Sequence, residues 1–166
     1  MSDISPVDAP YYNEIRQYAV RLTRNWSIGE DIVQETYLRY YQSQKAIPEA
    51  ARRAWLYRTA RNLVIDLFRR QKRTTKVEEI LKTDIVPGQM EKAAGDPRKT
   101  LERQETQNRL IDTINQLPPR HREVVRLKFQ QQLSYDEIAQ ITGESKPMVG
   151  WLLHEAIQKL KKEYSE

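Results

Sequence analysis

Apolar residues recur at helical spacing along almost the whole chain. In EAARRAWLYRTARNLVIDLFRRQ, residues 49–71, they return every three or four positions, and no stretch longer than a few residues alternates as a strand would. Each segment therefore has an apolar face that must pack against another segment. The pattern predicts an all-α protein with helices near residues 9–24, 28–43, 49–71, 99–116, 119–131, 134–142 and 146–163.

Two of these helices begin with the sequence of a capping box. In that motif a serine oxygen and the glutamate three residues later pair with backbone amides that have no partner within the helix. The two matches are Ser27 with Glu30 and Ser134 with Glu137.

The helical pattern breaks between residues 74 and 98, where two prolines and two glycines interrupt it. We interpret this segment as a flexible linker. It would join two small helical modules, residues 1–73 and 99–166, which a chain of 166 residues is long enough to form.

The composition excludes several kinds of site. The chain has no cysteine, which rules out disulfides and thiolate zinc sites, and its two histidines are too few for a histidine-rich metal site. No catalytic constellation is evident, so we expect no enzymatic activity, no metal and no cofactor.

No apolar run approaches the roughly 20 residues of a membrane span, and the N-terminus does not resemble a signal peptide. We therefore expect a cytoplasmic protein.

Positive charge is concentrated in the first module. Residues 1–73 have 13 Lys and Arg against 8 Asp and Glu, whereas residues 74–166 have 15 of each, so the net charge of +5 arises entirely from the first part. Within it, residues 45–73 have nine basic residues against two acidic ones. A segment with this excess is typical of a surface that binds a polyanion.

The helix expected at residues 49–71 separates its charges from its apolar residues. One face is basic except for Asn62 and Ile65, and comprises Arg58, Arg61, Asn62, Ile65, Arg69, Lys72 and Arg73. Its opposite face comprises Leu56, Ala60, Leu63, Val64 and Leu67. A solvated surface is the alternative, but such surfaces usually mix both signs, and Asp66 lies off this face. We therefore expect a nucleic-acid contact.

Trp55 and Tyr57 could stack on unpaired bases, or could pack against the preceding helix.

The helix expected at residues 28–43 has the opposite character. One side comprises Val33, Tyr37, Tyr40 and Tyr41, and the other comprises Asp31, Gln34, Glu35, Leu38 and Gln42. An exposed leucine among hydrogen-bond acceptors predicts a protein-docking surface. The carboxylates of Glu30, Asp31 and Glu35 could instead bind a metal or act as acid and base, but no histidine or carboxylate in a nearby motif completes such a site.

The segment SYDEIAQITGESKPMVGWLLHEAIQKL has the spacing of a helix-turn-helix. Ala139 is small where two helices would cross, and Gly143 suits a left-handed turn. Val149 and Leu152 are apolar where the second helix would return to the core. An ordinary helical hairpin is the alternative.

Three segments together resemble a known family. EDIVQETYLRYY, WLYRTARNLVIDLFRRQKR and LPPRHREVVRLKFQQQLSYDEIAQITG have the order and spacing found in bacterial RNA polymerase sigma factors of the extracytoplasmic-function (ECF) type. The resemblance implies that the first module, region 2, binds the polymerase clamp and opens the minus-10 promoter element. It implies that the second, region 4, binds the polymerase flap and the minus-35 element. An anti-sigma partner is a further implication.

The resemblance also assigns roles to residues. Asp31, Gln34 and Glu35, with the neighbouring Leu38, match the helix that docks on the clamp. The minus-10 helix of the family matches Arg58, Arg61, Asn62, Arg69 and Arg70, and Trp55, through stacking, is a further candidate contact to the minus-10 element. Asn62 would recognise an extruded base, because an amide offers both a donor and acceptors.

The last helix departs from the common family pattern, in which basic and hydroxyl residues occupy positions 150–152. Its outward positions are Pro147, Trp151, His154 and Gln158. Trp151 could contact thymine methyls, or could pack on a neighbouring domain or an inhibitor. The expected phosphate contacts come from Lys146, Arg120 and Arg122.

A stand-alone DNA-binding regulator would share the helix-turn-helix. That function would not, however, explain why the chain also has an acceptor-rich helix at residues 28–43 and a positively charged helix at residues 49–71.

Overall fold

The computed structural model describes residues 9–72 and 97–164, and within these ranges the chain forms helices and short connections without a strand. The helices are α1 (Tyr12–Thr23), α2 (Trp26–Ser43), α3 (Arg52–Lys72), α4 (Pro97–Asn115), α5 (Pro119–Val125), α6 (Tyr135–Thr142) and α7 (Lys146–Tyr164). Two 3-10 turns precede α3, and a π-helical segment, Arg126–Gln130, continues α5. The all-α prediction is confirmed. The predicted linker lies outside the described residues except at its end, where α4 begins.

The start of α2 differs from the prediction. Asn25, in an extended conformation, is the N-terminal cap, and its side chain accepts a hydrogen bond from the Ile28 amide at 3.0 Å. The predicted capping box of Ser27 with Glu30 is wrong, because α2 begins at Trp26 and Ser27 lies inside its first turn. Glu30 instead accepts hydrogen bonds from Tyr12 at 3.2 Å and Arg16 at 3.4 Å. Its carboxylate therefore ties α2 to α1.

Helices α1, α2 and α3 form the N-terminal module. Their apolar faces meet in a core that includes Ile15, Ala19, Val33, Leu56 and Val64, all buried. The core is rich in tyrosine: the rings of Tyr12 and Tyr37 have centroids 5.4 Å apart, and those of Tyr18 and Tyr57 are 5.0 Å apart. Such tilted pairs add to the stability that burial provides.

Helices α1 and α2 lie close together at Gly29. A Cβ added there would lie 2.5 Å from Cγ2 of Val20 and 3.0 Å from its backbone. Gly29→Ala is therefore expected to lower the free energy of unfolding by about 1–3 kcal/mol, because the helices would have to separate. Urea denaturation followed by circular dichroism measures this.

Gly150→Ala is the matched control for that substitution. Gly150 also lies within a helix, but its added Cβ would meet only Tyr135 Cε2 at 3.7 Å, an ordinary contact. We expect a gain of roughly 0.5–1 kcal/mol, since alanine restricts the unfolded chain more than glycine does. Equal effects of the two substitutions would contradict the close approach at Gly29.

Helices α4 to α7 form the C-terminal module, which contains the predicted helix-turn-helix in α6 and α7. The capping box of Ser134 with Glu137 is present at the start of α6. Gly143 has φ +80° and ends α6 with the expected left-handed turn. Val149 and Leu152 are buried, as predicted.

The two modules contact each other directly. Helix α3 of the N-terminal module packs against α6 of the C-terminal module. The buried apolar side chains of both modules also belong to one contiguous cluster. The sequence patterns describe each module separately and do not predict this contact.

Candidate nucleic-acid and protein interfaces

The outward face of α2 is polar with an apolar centre. Asp31, Gln34 and Gln42 are exposed, and Leu38 is 58% exposed. Glu35 is half-buried and pairs with Arg39, one turn further on, at 3.1 Å. On the other side Val33, Tyr37 and Tyr40 are buried. The predicted division of this helix is confirmed except at Tyr41, which is 37% exposed. The acceptors and the leucine are accessible to a partner.

Helix α3 presents only some of its predicted nucleic-acid contacts to solvent. Arg58, Asn62, Arg69 and Arg70 are exposed, whereas Leu56, Ala60 and Val64 on the opposite side are buried. Ile65 departs from the prediction: it lies on the charged side of the helix, yet it is only 6% exposed. Part of the charged side is therefore covered.

The aromatic residues at the start of α3 differ in accessibility. Trp55 is half-buried against Tyr40, with ring centroids 6.1 Å apart. Tyr57 is fully buried. Stacking of Tyr57 on bases does not agree with this burial, and packing against the preceding helices is the role that the structure gives it.

Arg61 lies between the modules. Its guanidinium donates to both carboxylate oxygens of Glu123 on α5, through Nε to Oε1 and through Nη2 to Oε2 at 3.3 Å. Burial alone would lower the pKa of Arg61, but the charge and hydrogen bonds of Glu123 raise it above its ordinary value. Arg61 therefore stays charged at any ordinary pH, and its guanidinium is engaged by Glu123.

Arg53 and Tyr57 form a second link between the modules. Arg53 Nη2 donates to Glu14 Oε2 at 2.8 Å and to the Gln131 carbonyl at 3.0 Å. Tyr57 Oη is 2.8 Å from both Glu14 Oε2 and the Gln131 side-chain oxygen. A hydroxyl has a single proton, so it donates to the carboxylate and accepts from the Gln131 amide once that amide is turned by 180°. Burial, reinforced by Glu14, raises the pKa of Tyr57, which stays neutral.

Helix α7 faces solvent with the residues that its angular pattern predicts. Pro147, His154 and Gln158 are exposed, and Trp151 is 54% exposed. The Trp151 ring lies 6.0 Å from the ring of His121 on α5, and His121 Nε2 is 2.9 Å from Glu155 Oε2. Glu155 thus pairs with His121, and both support the face that contains Trp151.

The three side chains of the C-terminal module that are predicted to contact phosphates differ in exposure and in their partners. Lys146 is exposed and lies 3.3 Å from Asp136. Arg120 is exposed and lies 2.7 Å from Glu144. Arg122 is only 5% exposed, and its guanidinium donates to the carbonyls of Asn115 and Leu117. A phosphate contact by Arg122 does not agree with this burial, because its donors close the turn after α4.

The C-terminal module also has an apolar groove that sequence patterns did not identify. Its volume is about 260 Å³, and it lies between α4, the π-helical segment and α7. Its apolar lining comprises Leu110, Ile111, Ile114, Val125, Phe129, Ile157 and Leu160. Phe129, which lines this groove, is 57% exposed.

Among residues 9–72 and 97–164, no group of three or more acidic or histidine side chains is placed to hold a metal ion. Within the same ranges, no helix combines the length and apolar character needed to cross a membrane.

Two family models match the chain, one in each module. The model described as Sigma-70 region 2 matches residues 9–74, and the model described as Sigma-70, region 4 matches residues 107–160. The ECF RNA polymerase sigma factor SigL of Mycobacterium tuberculosis is 32% identical over 149 residues, which cover 87% of this chain and 79% of SigL. The chain belongs to the ECF sigma factors.

Other relatives cover similar shares of this ECF sigma factor. SigM of Bacillus subtilis is 26% identical over 155 residues, 93% of this chain and 91% of SigM. The sigma factor YlaC of the same organism is 31% identical over 153 residues, 92% of this chain and 86% of YlaC. A solved structure, the sigma factor RpoE of Bartonella quintana in complex with the anti-sigma factor NepR, has a TM-score of 0.60 and 19% identity, with 91% of this chain and 89% of RpoE covered. This last similarity concerns the fold.

The N-terminal module is thus region 2 of the sigma factor, and the C-terminal module contains region 4. The structure brings the exposed Arg58, Asn62 and Arg69 together on one side of α3 in region 2. It places Lys146, Trp151 and His154 on α7 in region 4. Arg61 belongs to neither exposed group, because it pairs with Glu123 between the regions.

Proposed function

We propose that this ECF sigma factor is a transcription initiation factor that binds core RNA polymerase and directs it to specific promoters. The observation that supports this most directly is the ordered match to region 2 and region 4 on two helical modules. A stand-alone regulator is not favoured, because it would need only the helix-turn-helix. The proposed activity is binding, and no bond is made or broken by this chain.

Polymerase binding is assigned to two surfaces. In region 2, the exposed face of α2 offers Asp31, Gln34 and Glu35 as acceptors around Leu38, which suits a basic surface with an apolar centre, the clamp. In region 4, the apolar groove suits an apolar segment of the polymerase flap, because filling it would remove Phe129 and its neighbours from water.

The minus-10 element is assigned to α3. Arg58, Arg69 and Arg70 would contact phosphates, and Trp55 lies beside them for stacking. Asn62 would recognise a base extruded from the duplex. Extrusion costs a few kcal/mol of lost stacking, which contacts to the base must offset.

The minus-35 element is assigned to α7. Its exposed face has little charge, so recognition would depend on apolar contact by Trp151 and on His154 and Gln158 at base edges. Lys146 and Arg120 would contact phosphates. Both are now paired with carboxylates, and both cations are exposed, so these pairs contribute little stability and can be exchanged for phosphates.

Transcription with purified components tests the proposed function. The protein and core polymerase are incubated, the complex is isolated by size exclusion, and it is supplied with fragmented DNA of the source genome. We expect a stable complex and new transcripts with defined start sites that core polymerase alone does not give. Tight and specific binding of duplex DNA by the chain without polymerase would favour the regulator.

RpoE was solved with NepR, and we propose that an anti-sigma factor also binds this chain.

Trp151→Ala is expected to change the preference among minus-35 sequences and to weaken promoter binding by roughly 1–2 kcal/mol. Trp151→Phe is the matched control, because it keeps an aromatic ring and should retain most of the binding. Both are measured by transcription from a library of minus-35 variants. An unaltered preference in Trp151→Ala would assign the tryptophan to packing or to a protein partner.

A further inference from the structure

Helix α7 has an acidic side chain on the face that we assign to the minus-35 element. Glu155 follows Trp151 by one helical turn, so the two side chains are neighbours on that face. The side chain of Glu155 is 39% exposed, and Trp151 is 54% exposed. Phosphates repel a carboxylate, so Glu155 weakens the non-specific attraction of α7 to DNA. A favourable contact between Glu155 and DNA must therefore involve a base.

His121 on α5 holds the Glu155 side chain in place. His121 Nε2 lies 2.9 Å from Glu155 Oε2, and an ionised carboxylate only accepts hydrogen bonds, so Nε2 carries a proton and donates. The other ring nitrogen, Nδ1, is buried without a hydrogen-bond partner among the described residues. The same imidazole lies against the Trp151 ring, with centroids 6.0 Å apart. One buried ring on α5 thus orients two neighbouring side chains of α7.

The pairing with His121 leaves one oxygen of Glu155 available. Oε2 accepts from the imidazole, and no other described residue is placed to donate to Oε1 or to form an ion pair with this carboxylate. Three other carboxylates of region 4 are paired with a permanent cation: Glu123 with Arg61, Asp136 with Lys146 and Glu144 with Arg120. Glu155 therefore keeps an oriented acceptor for a ligand.

Cytosine has the major-groove edge that fits such an acceptor. It presents the N4 amino group, which is a donor, whereas guanine presents two acceptors and thymine presents an acceptor beside its methyl group. Adenine presents a donor beside the N7 acceptor, and N7 repels a carboxylate. A side chain that can only accept should therefore favour cytosine, tolerate adenine less well, and reject guanine and thymine.

We propose that Glu155, positioned by His121, recognises a cytosine of the minus-35 element through the N4 amino group of that base. The inference rests on the proposed function of α7. Trp151 supplies the apolar contact to a thymine methyl nearby. A separation of one helical turn is about 6 Å along the axis of α7, and base pairs are stacked about 3.4 Å apart. The cytosine and the thymine should thus lie within about two base pairs of each other.

Transcription by the holoenzyme from a library with all four bases at each position of the minus-35 element tests the assignment. We expect the unsubstituted protein to prefer cytosine at one position by about 5- to 10-fold over guanine or thymine. Glu155→Gln keeps the shape of the side chain and still accepts from His121, but its amide also donates, which matches N6 and N7 of adenine. This substitution should shift the preference at that one position from cytosine towards adenine.

Glu163→Gln is the matched control. It makes the same chemical change at an exposed position about two turns further along α7. Its base preferences should equal those of the unsubstituted protein at every position of the element.

The positioning role of His121 is tested with two substitutions in the same library. His121→Ala removes the donor to Glu155 and should reduce the cytosine preference to about twofold or less. A purely structural role would instead lower transcription from all library members by one factor and leave their ratios unchanged. His121→Gln has an amide nitrogen that can donate in place of Nε2, so it should restore most of the preference.

The recognition role of Glu155 is wrong if Glu155→Gln and Glu163→Gln give the same base preferences, or if the unsubstituted protein prefers cytosine at no position. Equal cytosine preference of His121→Ala and the unsubstituted protein would overturn the positioning role of His121. Failure of the proposed function would look different, because the unsubstituted protein would then give no promoter-dependent transcription from any library member, and the assignment of Glu155 would fall with it.

Discussion

Reversal of two charges on α2, Asp31→Lys with Glu35→Lys, is expected to weaken the association with core RNA polymerase by about 10- to 100-fold. Both carboxylates lie on the face around Leu38 and would meet a basic surface of the clamp. Replacing attraction by repulsion at two positions should slow association and speed dissociation. Fluorescence anisotropy of the labelled sigma factor, titrated with core polymerase at two salt concentrations, measures the effect.

Arg39→Ala is the control for that experiment. It removes the exposed 3.1 Å salt bridge with Glu35 but keeps both carboxylates. Its affinity for polymerase should remain within about twofold of the unsubstituted protein, because exposed pairs of this kind contribute little. Unchanged holoenzyme formation after the double reversal would show that α2 does not dock on the polymerase.

The double substitution Arg61→Ala with Asn62→Ala is expected to reduce promoter opening by roughly 10- to 100-fold while polymerase association is retained. Without the Asn62 side chain, the hydrogen bonds to an extruded base are lost. Without the Arg61 side chain, the contact to a phosphate that Arg61 would make once the regions have separated is lost. Permanganate footprinting of unpaired thymines measures opening, and anisotropy measures association. Equal loss of both activities would contradict the division of roles between α3 and α2.

Single substitutions separate the two effects of that variant. Arg61 also pairs with Glu123, so Arg61→Ala alone should loosen the contact between the regions. Asn62 is exposed, so Asn62→Ala should change promoter opening without a change in stability. Asp66→Ala, an exposed residue near Asn62 on the same helix, serves as the neutral control.

Helix positions and helix faces could be predicted because they depend on local spacing. The buried sides of α2 and α7 follow directly from the apolar period, and Ser134 and Gly143 mark the ends of α6 through their own backbone chemistry. The cap of α2 was missed because Asn25 and Ser27 are both good caps. The left-handed turn of Arg24, which ends α1 just before Asn25, decides between them.

Side-chain partners that are distant in sequence could not be predicted in this way. Arg61 and Glu123 are 62 positions apart, and only the packing of α3 against the C-terminal module brings them together. The same limit applies to Arg122, which the sequence predicts to be an exposed cation that contacts a phosphate. Its guanidinium reaches the carbonyls at the end of α4 and is buried there.

The pairing of Arg61 with Glu123 has a consequence for how the protein is distributed in a cell. A chromosome offers about 10⁶–10⁹ non-specific sites, and an uncovered basic helix would be adsorbed on them before it met polymerase. With Arg53 and Arg61 engaged inside the molecule, fewer cations are available for that adsorption. Adsorption on bulk DNA is then expected to depend on the exposed Arg58, Arg69 and Arg70, and to be weaker than for a helix with all of its arginines uncovered.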